Sequence, residues 1–100
     1  MRHAGPQTLA SLAPLLRRLR GMPALSERRP GVFYLASRAY LHFHDDPAGI
    51  FADVKLDRAT FARVRVSTAR ERLRFLARVA RSLDGERLPR RRRRAQRSAT

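Results

Sequence analysis

The 100-residue chain contains no cysteine and no tryptophan, and only 8 of its residues are Asp or Glu. Without cysteine, neither a disulfide nor a thiolate metal site can hold the fold, and no cysteine nucleophile exists. Long apolar runs are missing too. Nothing approaches the roughly 20 consecutive apolar residues that a membrane-spanning helix requires. Gly-rich phosphate loops behind a strand are absent, as is a serine in a nucleophile elbow, so the common catalytic signatures have no foothold. A non-catalytic role is the leading expectation.

Against so few acids stand 23 Lys and Arg, giving a formal net charge of +15. Such a charge repels itself in the compact state and attracts polyanions. Lys55 is the one lysine, and the remaining basic residues are arginine, as GC-rich coding would produce. Coding bias explains arginine over lysine better than it explains the excess of bases over acids. The excess therefore points to an acidic partner, most plausibly nucleic acid.

The most strongly patterned stretch is Arg38 to Leu56. Ala39, Leu41 and Phe43 alternate with Tyr40, His42 and His44, and Ile50, Ala52, Val54 and Leu56 alternate with Phe51, Asp53 and Lys55. Successive strand side chains take opposite faces, so each run has an apolar side and a mixed one. Asp46-Pro47-Ala48-Gly49 supplies the turn between them. Closing a hairpin on that turn pairs Asp45 with Ile50, Phe43 with Ala52, His42 with Asp53 and Leu41 with Val54. A slip by one residue would set apolar against polar faces, which constrains the register.

Around this hairpin the chain divides into a flexible N-terminus over 1–7, a single domain over 8–85 and a disordered Arg-rich tail over 86–100. Thr8 to Arg20 reads as an amphipathic helix through Leu9, Leu12, Leu16 and Leu19, with arginines near its C-terminus where cations suit the helix dipole. Pro14 either kinks it or starts its regular part. A leucine-rich helix after Arg2 could also be a targeting signal, but Pro14 and the arginines that follow fit a docking helix better. A cytoplasmic location is the default expectation.

Met22 to Pro30 reads as a loop, Val32 to Ala36 as a strand, Asp57 to Thr60 as a turn and Phe61 to Val66 as a further strand. Thr68-Ala69-Arg70-Glu71 is a capping box that opens a second helix. Its inward stripe is read as Ala69, Leu73, Leu76, Ala80 and Leu83, with Phe75 and Val79 at the border. Asp84-Gly85 closes it. The predicted fold class is α+β: a four-stranded antiparallel meander sheet with an N-terminal and a C-terminal helix on one face, in the order α-β-β-β-β-α.

Three groups of residues could then carry function. Arg90, Arg91, Arg92, Arg93 and Arg94 form a run able to engage phosphates without any fold; contact with about five of them gives a salt slope near −4.5 on duplex DNA. The uncovered sheet face is expected to show Arg38, Tyr40, Arg63 and Arg65, an aromatic and basic mixture of the kind that stacks bases and holds phosphates. His42, His44 and Asp53 are the third group. Imidazole and carboxylate suit a divalent metal, or an acid-base pair in which Asp53 orients His42. Zinc hydrolase signatures built on His-x-His continue with ligands this chain lacks, so no metal or other cofactor is expected from the sequence. A protein-interaction adaptor or homo-oligomer using the sheet face or its edge is the remaining alternative.

The block Gly31-Val32-Phe33-Tyr34, followed by Ser37 through Val54, resembles small bacterial α+β proteins to which no activity is assigned, and covers about a quarter of the chain. In its helix-then-hairpin order the chain is also similar to YjbR and TfoX N-terminal domains, which implies a compact α+β module. No residue role transfers from either resemblance.

Overall fold

A computed structural model describes residues 2–87. Its centre is the hairpin of β4 (Arg38–Asp46) and β5 (Gly49–Val54), paired in the register the alternation dictates: Leu41 with Val54, His42 with Asp53, Phe43 with Ala52 and Asp45 with Ile50. The Asp46 carboxylate accepts from the Ala48 N–H at 2.9 Å, an Asx-type contact that fixes the turn. β6 (Ala62–Arg65) adds to the free edge of β5, and β3 (Val32–Leu35) adds to the other side of β4. The result is an α+β fold with an open antiparallel sheet.

The sheet is larger than the four-strand expectation. Leu25–Arg29, read from sequence as loop, is strand β2 and forms the edge next to β3. Its sequence LSERR lacks an apolar row because an edge strand buries little and is commonly charged. At the other extreme of the chain, β1 (Arg2–His3) pairs with β4 through Arg2–Asp45 and His3–His44. β5 already occupies one edge of this part of β4, so β1 lies on the opposite edge, beyond the end of β3.

The N-terminal helix is divided. α1 (Pro6–Ser11) and α2 (Ala13–Arg20) meet at Leu12, with Pro14 in the first turn of α2, where its missing N–H removes no helical bond. α3 (Ala69–Arg87) begins at the expected capping box: the Glu71 carboxylate accepts from Thr68 N–H at 3.0 Å, and Glu71 N–H donates to the Thr68 hydroxyl at 3.1 Å.

Helices and sheet share one core. Leu12, Leu15, Leu16 and Leu19 meet Phe33, Leu41, Phe43, Ala52 and Val54 of the sheet and Phe75, Leu76, Val79 and Leu83 of α3. The inward stripe of α3 is rotated from the sequence reading. Phe75 and Val79 sit at its centre, fully buried, whereas Leu73 is 64% exposed. The larger ring takes the interior position against Phe43, with centroids 6.4 Å apart and planes at 66°.

Parity also breaks within β4, and that break corrects a site assignment. Phe33 pairs with Leu41 but Tyr34 pairs with Ala39, leaving Tyr40 as the extra residue of a β-bulge. Tyr40 therefore joins Leu41 on the helix side, buried, with its hydroxyl 3.0 Å from the Ser82 hydroxyl of α3. It cannot offer a stacking surface on the uncovered face.

Candidate functional site

The uncovered face of β4 carries His42 and His44, two residues apart and so on the same side. Cross-strand pairing brings Asp53 opposite His42, and β6 then sets Arg63 opposite Asp53. The Asp53 carboxylate is buried and held at both oxygens: Arg63 Nε reaches Oδ1 at 2.9 Å and Nη2 reaches Oδ2 at 3.0 Å. His44 Nε2 stands 2.8 Å from Oδ2 and His42 Nε2 stands 3.5 Å from it. One donor atom from each of His42, His44 and Asp53 lies within 4.8 Å of the others.

The third histidine completes the group. Because His3 pairs with His44 across the β1–β4 ladder, its ring stacks on that of His44 at 5.1 Å and lies 5.7 Å from that of His42. The chain has 3 histidines, and all of them meet here. Sequence reasoning missed His3 because a two-residue strand has no periodicity. The rarity of histidine in the chain was the available signal.

His44 is electrostatically unusual. Both of its ring nitrogens are buried with no hydrogen-bond partner among the described residues. The 2.8 Å approach of Nε2 to Asp53 is close in distance but misdirected for an N–H donor. A ring nitrogen without a proton and a carboxylate oxygen at that separation repel each other unless a proton or a metal ion bridges them.

Burial lowers the His42 pKa from its usual value, helped by the neighbouring His44, while Asp53 pulls the other way. Asp53 itself is held below the ordinary carboxylate range, chiefly by its hydrogen bonds from Arg63 and against the opposing effect of burial. Below about pH 6.5 the unfolded chain protonates His42 more readily than the fold does, so stability falls on acidification. The Asp53 contribution is present above the unfolded carboxylate pKa of about 3.9 and is lost as pH falls through its lower folded value. Thermal melts of metal-free protein between pH 7.5 and 5 should show a falling melting temperature, and His42→Gln should flatten that slope; an unchanged slope in the variant would contradict the assignment.

The rest of the uncovered face is largely engaged with itself. Arg65 donates to both oxygens of Glu71, at 3.1 and 2.9 Å, and to the Ala48 carbonyl. Phe61 lies between the ring of His42, 5.0 Å away, and the ammonium of Lys55, 4.9 Å away. Tyr34 is covered by the Arg28 guanidinium at 4.3 Å. Arg38 is exposed at the far end of β4, beside a cleft of about 300 Å³ that it shares with Leu35, Tyr40 and Lys55. Arg38, Tyr40, Arg63 and Arg65 are thus not gathered into one platform. Arg90 to Arg94 lie outside the described residues. No helix among the described residues is long and apolar enough to cross a membrane. Compared with protein-family models, curated proteins and solved structures, the chain has no match.

Proposed function

We propose that this domain binds a late first-row divalent metal ion, zinc being the reference case, through His42, His44 and Asp53, with His3 as a fourth donor from the N-terminal strand. The observation that carries the reading is the meeting of all the chain's histidines around one buried carboxylate, with His44 lacking any hydrogen-bond partner among the described residues. Imidazole with carboxylate is a donor set suited to zinc, and bond lengths near 2.0–2.1 Å put tetrahedral donors about 3.3 Å apart. The 3.5 Å and 2.8 Å separations bracket that figure.

Arg63 does not compete for the site. An ionised carboxylate has about four lone-pair positions, so Asp53 can accept from Arg63 and still present an electron pair to a metal. Arg63 then orients the ligand, as outer hydrogen-bond partners of metal sites do. The pKa of His42 favours the neutral, ligating form near neutral pH, and binding should weaken on acidification as protons compete.

Zinc titration of protein carrying no histidine tag tests this. Calorimetry should give one ion per chain, and a 100-fold excess of zinc over its dissociation constant should stabilise the fold by about 2.7 kcal/mol. His42→Ala with His44→Ala should abolish both effects, and His3→Ala should weaken them. Equal binding by the double variant, or no zinc-dependent shift in the wild type, would refute the proposal.

A further inference from the structure

The net positive charge is arranged differently from the expectation that the sheet carries it. On the uncovered face Arg63 and Arg65 are tied to Asp53 and Glu71, and the aromatic rings are occupied by Arg28, Lys55 and His42. The opposite surface, formed by the outward sides of α2 and α3, is the reverse case. Arg17, Arg18, Arg70, Arg74, Arg78 and Arg81 are all exposed there and take part in no ion pair or hydrogen bond among the described residues. α2 and α3 lie side by side, sharing a groove lined by Pro14, Leu15 and Arg18 on one helix and Ala69, Arg72, Leu73 and Leu76 on the other.

The α3 arginines recur at steps of four, four and three residues, so they form one stripe along the helix. At 1.5 Å per residue the stripe is about 16 Å long, with steps of about 6 Å or less. Acids one turn away could have paired with these arginines. Here the nearby Glu71 is already held by Arg65, so it leaves Arg74 without a counter-charge. The surface also presents no aromatic ring for stacking bases, since Phe75, the aromatic residue of α3, is fully buried.

We infer that the outward surface of α3 is a docking face for the phosphate backbone of duplex nucleic acid, with Arg70, Arg74, Arg78 and Arg81 along one strand. Charge complementarity selects the partner: a row of unpaired guanidinium groups matches a row of phosphates, and Arg engages them through bidentate hydrogen bonds. The absence of stacking groups on this surface favours duplex over single strand, and the contacts read no base edges, so binding is independent of sequence.

The test uses the full chain and a mixed-sequence DNA duplex, titrated by fluorescence anisotropy at several salt concentrations. Four phosphate contacts by α3 contribute about −3.6 to the slope of log K against log salt. Arg70→Glu/Arg74→Glu/Arg78→Glu should remove about 2.7 of that slope and weaken binding at least tenfold. A milder Arg70→Gln/Arg74→Gln/Arg78→Gln variant should move both in the same direction while keeping the wild-type melting temperature, which guards against misfolding. Arg38→Ala, at the exposed end of β4, should change affinity little. Replacing Arg90 to Arg94 by alanine separates the tail from the helices. The inference is overturned if the helix variants bind like wild type, if the tail variant alone abolishes binding, or if single strands bind more tightly than the duplex.

Discussion

Phe75→Ala is expected to destabilise the protein by about 3–5 kcal/mol, the usual cost of removing a buried phenyl ring and leaving its cavity. Phe75 is fully buried and packs edge-on against Phe43. The position matters for the site because Phe43 is the residue between His42 and His44. Its ring anchors β4 to the helix layer while its neighbours face the other way. A typical domain of this size has a total stability of only about 5–15 kcal/mol, so the variant should be close to unfolding at body temperature. Leu73→Ala is the control. Leu73 is a large apolar residue on the same helix but 64% exposed, and its truncation should stay within about 0.5 kcal/mol. Urea denaturation of both variants checks the contrast, and similar losses at 73 and 75 would mean that α3 is rotated from the position described.

That contrast also marks where sequence reasoning reached its limit. A stripe of Leu73, Leu76, Ala80 and Leu83 and one centred on Phe75, Leu76, Val79 and Leu83 both satisfy helical spacing. Only the partner surface selects between them, and the ring of Phe43 makes that selection. The hairpin was legible because its signals are local: period-two alternation on both arms and a turn of Asp, Pro, Ala and Gly. The capping box of Thr68 and Glu71 was legible for the same reason. The bulge at Tyr40 was not, because nothing in the composition of Arg38 to Leu41 marks an extra residue. β1 and β2 were not either, being a two-residue pairing and a charged edge strand.

The candidate site divides along the same line. His42, His44 and Asp53 follow from hairpin register and were placed together by parity alone. His3 arrives through a pairing 41 residues away in sequence, His3 with His44, which no local pattern encodes. Arg63 is intermediate: alternation puts it on the correct face, but only the β5–β6 register sets it opposite Asp53. The basic surface shows a different limitation. Net charge is readable from composition, whereas which arginines lack acidic partners depends on where Asp53 and Glu71 fall.

Gly49→Ala should cost about 1.5–4.5 kcal/mol, combining roughly 1–3 for forcing a side chain into a glycine-only backbone region with about 0.5–1.5 for a lost hydrogen bond. Gly49 has φ of +139°, and a Cβ there would overlap the Ser67 hydroxyl and stand 3.0 Å from Arg65 Nε and Nη2. Those groups close the turn: Ser67 Oγ accepts from Ile50 N–H at 2.8 Å, and Arg65 donates to Ala48 O at 3.2 and 3.1 Å. An added methyl group therefore strains the backbone and pushes away the residues that pin the hairpin to the end of β6. A double-mutant cycle separates the two effects. With Ser67→Gly already in place the overlap with its hydroxyl is gone and only the backbone strain and the Arg65 contacts remain, so the two substitutions should be less damaging together than their sum. Strict additivity would mean that Ser67 does not close over Gly49. The hairpin register also sets His42 opposite Asp53, so Gly49→Ala should weaken zinc binding in parallel, although the residue touches none of the donor atoms.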